Sequence, residues 1–425
     1  MRFFYTLLWY LLLPLLFVRL WWRGRRAPAY RQRWRERMAL GYRPGTLKHS
    51  VWIHAVSVGE TLAAAPLIEA LLARFPETPL IVTTTTPTGS ERVRALFGDR
   101  VTHVYCPWEL PGAYRRFFRA FDPRLVIVLE TELWPNLCAA ATARGAKLML
   151  MNGRLSEKSY RGYARLGALV RPMLGRFQVL AVQTEAEAER FRRLGADPQR
   201  IKVNGSVKFD LTLDDPVKTA ASALRAEFTQ RPVWIAASTH PGEDEMVLAA
   251  HRQILADQPQ ALLVLVPRHP ERFDEVAGLA RRRGFGLARR SRHDTVDEQT
   301  QVYLADTMGE LLMLFGVSDV AFVGGSLVPV GGHNLLEPAA WSLPVLSGCH
   351  LHNFTAIADL LDQAGALELV ADSEALARAV AALFADADEC RRRGEAAAAV
   401  VAANRGALQR GITICASLWP SRSGS

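Results

Sequence analysis

From residue 40 onward the chain alternates short, almost wholly apolar runs with longer amphipathic stretches, and this alternation narrows the fold more than any other feature. The runs are VWIHAV, LIVTTTT, LVIVLET, KLMLMNGR, VLAVQT and IKVNGS, followed after LTLDDP by VWIAAST, LLVLVPRHP, VYLAD, DVAFVGG and PVLSG. Strands that are apolar on both faces and separated by helices belong to parallel sheets covered on both sides. The rhythm pauses at KFDLTLDDP, Lys208 to Pro216, and restarts with PVWIAAST, whose apolar run resembles the opening VWIHAV. Two doubly wound α/β domains joined near residues 208–231 are expected, and a length of 425 residues favours the same division.

Ahead of this pattern, residues 3–22 carry a single charge, Arg19. A helix of about 20 such residues matches the ~30 Å hydrocarbon core of a bilayer. Trp9, Tyr10, Trp21 and Trp22 suit interfacial depth, and Arg23, Arg25, Arg26, Arg31, Arg33, Arg35 and Arg37 follow at once. By the positive-inside rule the arginines, and the body behind them, are expected on the cytoplasmic side. A cleaved leader carries its charge before the apolar run rather than after it, and the APA at 27–29 lies among the arginines. Pro14 and Arg19 leave a helix lying in the membrane interface open beside a spanning one.

The formal net charge of +10 calls for an anionic partner or surface: nucleic acid, an acidic membrane or a phosphorylated substrate. Part of it is compositional, because only six of the 52 basic residues are Lys. Cys106, Cys138, Cys349, Cys390 and Cys415 stand singly without CxxC spacing, so neither a disulfide framework nor a zinc site follows.

Ligands of doubly wound sheets collect at the carboxyl ends of the strands, so candidate residues are sought there. Glu60 follows VWIHAV and a Ser-Val-Gly turn; Ser57-x-x-Glu60 fits a capping box, and Glu60 equally fits a proton acceptor. TTTTPTGSERV offers Thr85, Thr86, Gly89 and Ser90 as an anion cradle at a helix N-terminus, or an ordinary loop with Ser90 as N-cap. LVIVLETELWPN ends a buried strand with Glu130 and Glu132, carboxylates that need a partner. Lys208 is a candidate for that role or for holding a phosphate.

In the second half, VPRHP sets Arg268 and His269 at a strand end, and DTMGELLMLF starts a helix at Asp306 or Thr307 that carries Gly309, Glu310 and Leu311. FVGGSLVPVGGHNLLEP supplies two Gly pairs and a helix opening at Asn334, with Glu337 placed to accept ribose hydroxyls. Neither a GxGxxG nor a GxxxxGK[ST] is present, so NAD and P-loop chemistry are not supported.

Taken together, HAVSVGE, TTTTPTGSERV, ETELWPN, GSVKFD, STHPGE, LVPRHPERF, DTMGEL and FVGGSLVPVGGHNLLEP resemble, in order and spacing, the bacterial 3-deoxy-D-manno-oct-2-ulosonic acid (Kdo) transferases of lipopolysaccharide synthesis. The resemblance covers essentially the whole chain. It implies a GT-B fold of two Rossmann-like domains facing a cleft, behind a membrane-anchor helix over 1–22, with an acceptor domain over 23–210 and a nucleotide-sugar domain over 211–425. It implies CMP-Kdo as donor, a phosphorylated, tetra-acylated lipid A precursor as acceptor, an inner-membrane location facing the cytoplasm, and no metal, cofactor or nucleic acid. It makes Glu60 the proton acceptor, with Glu130 and Lys208 as transition-state stabilisers. Arg268, His269, Gly309, Glu310, Leu311, Leu335, Leu336, Glu337 and Pro338 would line the CMP site. A sugar-nucleotide epimerase would share the fold but has no reason for the anchor. A membrane scaffold would keep the anchor but has no reason for Glu60, Glu130 and Lys208 together.

Overall fold

The computed structural model describes residues 1–25 and 27–419; Arg26 lies outside the described residues, as do the last six positions of the expected second domain. The chain divides into two compact units, one of residues 1–210 with the C-terminal segment from Arg405, the other of Leu211–Asn404.

The first unit holds strands β1 (Ser50–His54), β2 (Leu80–Thr84), β3 (Thr102–Tyr105), β4 (Pro123–Leu129), β5 (Lys147–Gly153), β6 (Val179–Val182) and β7 (Ile201–Val203). They form one sheet of order β3-β2-β1-β4-β5-β6-β7, every pairing parallel. Alternate residues of β1 face opposite ways, so Trp52 packs with Phe117 and Phe121 of the helix Pro111–Phe121, while Val51 and Ile53 pack with Leu67 and Leu71 of the helix Val58–Arg74. Both faces are therefore buried, which is why the strands are apolar at nearly every position.

The second unit repeats the plan with β8 (Val233–Thr239), β9 (Leu262–Pro267), β10 (Leu287–Arg289), β11 (Val302–Leu304), β12 (Val320–Val323), β13 (Val345–Ser347) and β14 (Leu367–Leu369). The order is β10-β11-β9-β8-β12-β13-β14, again all parallel. In each sheet the strand order reverses direction at the first strand, between β1 and β4 and between β8 and β12. The crevice outside such a switch point is where open α/β sheets bind ligand.

The expected domain of 211–425 is corrected at its C-terminal end. The helix Ala407–Leu418 packs in the first unit, where Ile412 and Cys415 join the face of β1 and β5, and the Cys415 sulfur lies 3.6 Å from that of Met149. Asn204 donates to the Ala407 carbonyl at 2.8 Å, and both oxygens of Asp210 accept backbone N–H groups, from Gly406 at 2.5 Å and Leu408 at 2.6 Å. Gly411 lets the helix approach the sheet closely: a Cβ there would lie 2.0 Å from Cε of Met151 and would force that side chain to move.

Candidate functional site

At the first switch point, β1 and β4 deliver Glu60 and Glu130 into one small cavity, lined also by Asn152 and Val207. Ser57 caps the helix Val58–Arg74, its hydroxyl accepting from the Glu60 N–H at 3.4 Å and donating to Oε1 at 3.1 Å. The carboxylate does not close the box on the cap residue itself: Oε2 accepts from the N–H of Val56 at 2.8 Å. The reciprocal box occurs instead at Thr184, where Glu187 takes the cap's own N–H at 3.0 Å. Glu60 is thus both a local brace and a lining group of the cavity. Burial, with the nearby Glu130 and Glu132 charges adding to it, pushes its carboxyl up to about 7 against the lowering effect of the Val56 N–H.

Glu130 sits just past β4 in the left-handed region, φ 53°, and its N–H donates to the Met151 carbonyl at 3.0 Å. That turn swings the side chain off the strand. Glu132 accepts from the Trp134 indole at 2.7 Å, and burial raises its carboxyl. Lys208 lies next to the cavity residue Val207 in a single 3-10 turn, with no ion pair among the described residues. Sequence reasoning passed over Asn152. It is buried at φ 55°, and its Oδ1 accepts from the Val207 N–H at 3.2 Å, fixing the segment that carries Lys208. The Asn-Gly pair ending KLMLMNGR was the available signal.

The threonine loop is held to the same strand end, because Thr85 donates to the Val56 carbonyl from both its N–H and its hydroxyl, each at 3.1 Å. Ser90 is not the N-cap of the following helix, Pro87–Phe97. Thr86 is, accepting from the Gly89 N–H at 3.1 Å. Ser90 lies inside the helix, nearly buried, and accepts from Arg33 at 2.9 Å. Arg33 also grips Glu36 with two hydrogen bonds of 2.6 and 2.7 Å, and buried Arg37 donates to the Thr85 carbonyl at 3.0 Å. These two arginines, grouped by their sequence with a membrane-facing cluster, are clamps on the loop; the backbone of 34–38 turns them inward.

At the second switch point, the helix Glu243–Asp257 begins with a carboxylate that sequence reasoning assigned no role. Glu243 is 0% exposed, and its two oxygens accept four backbone N–H groups: His240 at 2.9 Å and Gly325 at 2.6 Å on Oε2, Ser326 and Leu327 at 2.9 Å each on Oε1. It holds the glycine-rich segment against β8. The same segment folds back through Gly331, whose φ of 114° excludes other residues without strain. The STHPGE motif contained this residue, but a buried carboxylate that serves only backbone groups has no one-dimensional signature.

Near that segment, His240 and His333 meet head to head with ring planes 9° apart, centroids 5.1 Å apart and Nε2 atoms at 2.9 Å, and His269 meets His240 edge-on at 5.3 Å. Burial, then the neighbouring positive groups, takes His333 down to about 4, and burial lowers His240 as well. Both are neutral near pH 7, one donating to the other. Arg268 is exposed at the end of β9, its N–H fixed to the Thr239 carbonyl at 3.0 Å.

The helix expected from Asp306 or Thr307 starts later, at Leu311, because Asp306 is tied to Arg289 at 2.7 Å and Glu310 to Arg290 by two bonds of 2.6 Å. Gly309, at φ 87°, and Leu311 therefore offer backbone rather than the Glu310 side chain. Leu335, Leu336 and Pro338 are buried at the start of the helix Leu336–Ala340, where Asn334 accepts from the Leu336 N–H at 3.2 Å. Glu337 accepts from Asn334 at 2.9 Å on Oε1, and burial raises its carboxyl.

Two units of this kind define the class. A glycosyltransferase from Rickettsia africae superposes with a TM-score of 0.57 at 15% identity, covering 87% of this chain and 98% of that one. A putative UDP-N-acetylglucosamine 2-epimerase from Listeria monocytogenes gives 0.56 at 16%, covering 88% and 96%. The fold is the GT-B glycosyltransferase fold, which such epimerases share, and at these identities fold is all that the likeness carries.

The sequence comparisons are narrower. Residues 32–211 match the family described as 3-Deoxy-D-manno-octulosonic-acid transferase (kdotransferase). The 3-deoxy-D-manno-octulosonic acid transferase of Haemophilus influenzae is 44% identical over 412 residues, 96% of each chain. That of Bordetella pertussis is 38% identical over 421 residues, again 96% of each. The chain belongs to the 3-deoxy-D-manno-octulosonic acid transferase family.

Proposed function

We propose that this chain transfers Kdo from CMP-Kdo to a sugar hydroxyl of a phosphorylated, tetra-acylated lipid A precursor at the cytoplasmic face of the inner membrane. The observation that carries the chemistry is Glu60, a carboxyl at about 7 lining a cavity at the switch point of the first sheet. Family membership supplies the sugar. The acceptor hydroxyl attacks the anomeric carbon of Kdo, the bond from that carbon to the phosphate oxygen breaks, and CMP leaves with the electron pair. The hydroxyl proton passes to Glu60, whose pKa near the working pH lets it act as a base without being locked in the charged form. Glu130 opposes positive charge developing at the anomeric carbon, and Lys208, without an ion pair among the described residues, offsets charge on the departing phosphate.

On the second unit, Arg268 and His269 are proposed to bind the CMP phosphate, and the backbone of Gly309 to Leu311 the base. Leu335, Leu336 and Pro338 would form the wall beside the ribose. Glu337 keeps Oε2 for a ribose hydroxyl because Asn334 occupies only Oε1. The Thr86 hydroxyl, which accepts from Gly89 and keeps its own proton to donate, is proposed to meet an acceptor phosphate; Thr85 and Gly89, whose donors go to Val56 and Thr86, and Ser90, committed to Arg33, take supporting parts. The exposed apolar helix Arg2–Arg23 and the net charge of +10 support membrane attachment. Glu337→Ala is expected to raise KM for CMP-Kdo about tenfold while kcat and the acceptor KM stay within about twofold, read by initial rates over both substrates. Equal changes in both KM values would remove Glu337 from the donor site.

A further inference from the structure

The helix Arg2–Arg23 is not free on all sides. Tyr5, Thr6, Trp9, Leu13, Leu16, Phe17 and Leu20 are half-buried and cluster at positions 5–6, 9, 13, 16–17 and 20, one helical stripe running ~22 Å at 1.5 Å per residue. The stripe meets the first unit from end to end. The Thr6 hydroxyl donates to Asn136 Oδ1 at 3.1 Å and accepts from its Nδ2 at 3.0 Å; Trp9 stands edge-on to Trp134 at 6.0 Å; Phe17 lies 4.9 Å from Trp108. On the other side Phe3, Phe4, Leu7, Leu11, Leu15 and Val18 are exposed. A helix that crosses a ~30 Å hydrocarbon core cannot keep a polar, water-soluble unit packed along its whole length.

The first residue of the same helix adds a second observation. Arg2 lines a groove of about 470 Å³ together with Arg115, Arg119 and Arg144, over a floor that includes Phe118 and Ala140. No carboxylate lines the groove, and none of the four arginines has an ion pair among the described residues. Both ends of the helix therefore abut one unit, and the groove opens beside the apolar face. Guanidinium forks match phosphate oxygens, and their apolar stems suit a boundary between head groups and chains.

We propose that the helix lies in the plane of one leaflet with Phe3, Leu7, Leu11 and Val18 in the acyl layer, and that the Arg2, Arg115, Arg119 and Arg144 groove takes the phosphate of an anionic phospholipid head group. This rests on the membrane attachment of the proposed function and not on its sugar chemistry. The purified full chain is floated with phosphatidylcholine vesicles with and without phosphatidylglycerol, no acceptor being present. Arg115→Glu with Arg119→Glu is expected to cut binding to the phosphatidylglycerol vesicles about tenfold or more, to leave the weaker binding to neutral vesicles unchanged, and to leave transfer to detergent-dispersed acceptor unchanged. Binding to anionic vesicles equal to that of the parent chain would overturn the groove. In intact cells, Phe4→Cys in a chain whose exposed Cys349 is replaced by Ser is expected to escape an impermeant maleimide added outside and to react only after detergent frees the helix from lipid; labelling from outside would overturn the in-plane seat. A chain that behaves this way on vesicles yet never transfers Kdo in detergent would sink the proposed reaction and uphold this inference.

Discussion

Glu60→Gln is expected to lower kcat by roughly 10²-fold or more while leaving the fold and CMP binding intact. The carboxylate has two tasks. As a brace it accepts from the Val56 N–H and the Ser57 hydroxyl, and an amide oxygen can keep one of these bonds. As a base it must take a proton, which an amide cannot do. The stability change separates the two. The folded-state pKa of about 7 lies above the ordinary value of 4.5, so the folded protein holds this proton more tightly than the unfolded chain. Stability from this group is present in full below pH 4.5 and is lost as pH rises through 7. At pH 8 the ionised carboxylate is a burden on the fold, and Glu60→Gln is expected to melt at the parent's temperature or slightly above it. In the parent, kcat/KM is expected to rise with pH and level off above about 7, as the base of the free enzyme loses its proton. A variant that melts several degrees lower, with activity falling only in step, would return Glu60 to the role of a brace.

Glu243 carries the second large effect, on stability. Four backbone N–H groups converge on one carboxylate that water does not reach. In Glu243→Gln one oxygen becomes an NH2 group facing two N–H donors, leaving at least two donors without an acceptor. An orphaned buried donor costs about 1–3 kcal/mol, and 1 kcal/mol moves the melting point of a domain of this size by about 2–4 °C. Glu243→Gln is thus expected to melt on the order of 10 °C lower by calorimetry, in the transition of the second unit. Glu243→Ala, which orphans all four, is expected not to give a soluble folded chain. A melting temperature within about 2 °C of the parent for Glu243→Gln would show that the glycine-rich segment is held by other means.

Eleven strands were legible in the sequence, ten because burial on both faces makes them nearly continuously apolar and Ile201–Val203, an edge strand whose last two residues are exposed, only as the end of the first series of runs. The three that were not, Thr102–Tyr105, Leu287–Arg289 and Leu367–Leu369, are edge strands of three or four residues. With a neighbour on one side only, THVY, LAR and LEL tolerate polar residues and lose the signal. The candidate residues were legible where chemistry coincides with a strand end, as at Glu60, Glu130 and Arg268. Asn152 and Glu243 were not, since each acts on backbone groups distant in sequence. The arginine run was misleading for the opposite reason. Its composition suggests one surface, whereas Arg33 and Arg37 are drawn inward by Glu36, Ser90 and the Thr85 carbonyl. The C-terminal helix carries no mark of its home sheet except Gly411, whose meaning depends on Met151.

The central claim is Kdo transfer with Glu60 as its base. The most direct test incubates the purified chain with CMP-Kdo and a defined phosphorylated, tetra-acylated lipid A precursor, and reads the lipid by mass spectrometry. The account predicts a lipid heavier by one or more Kdo residues with the parent chain, and an unshifted lipid over the same time with Glu60→Gln. An unshifted lipid with the folded parent chain, or an equally shifted one with Glu60→Gln, would contradict it.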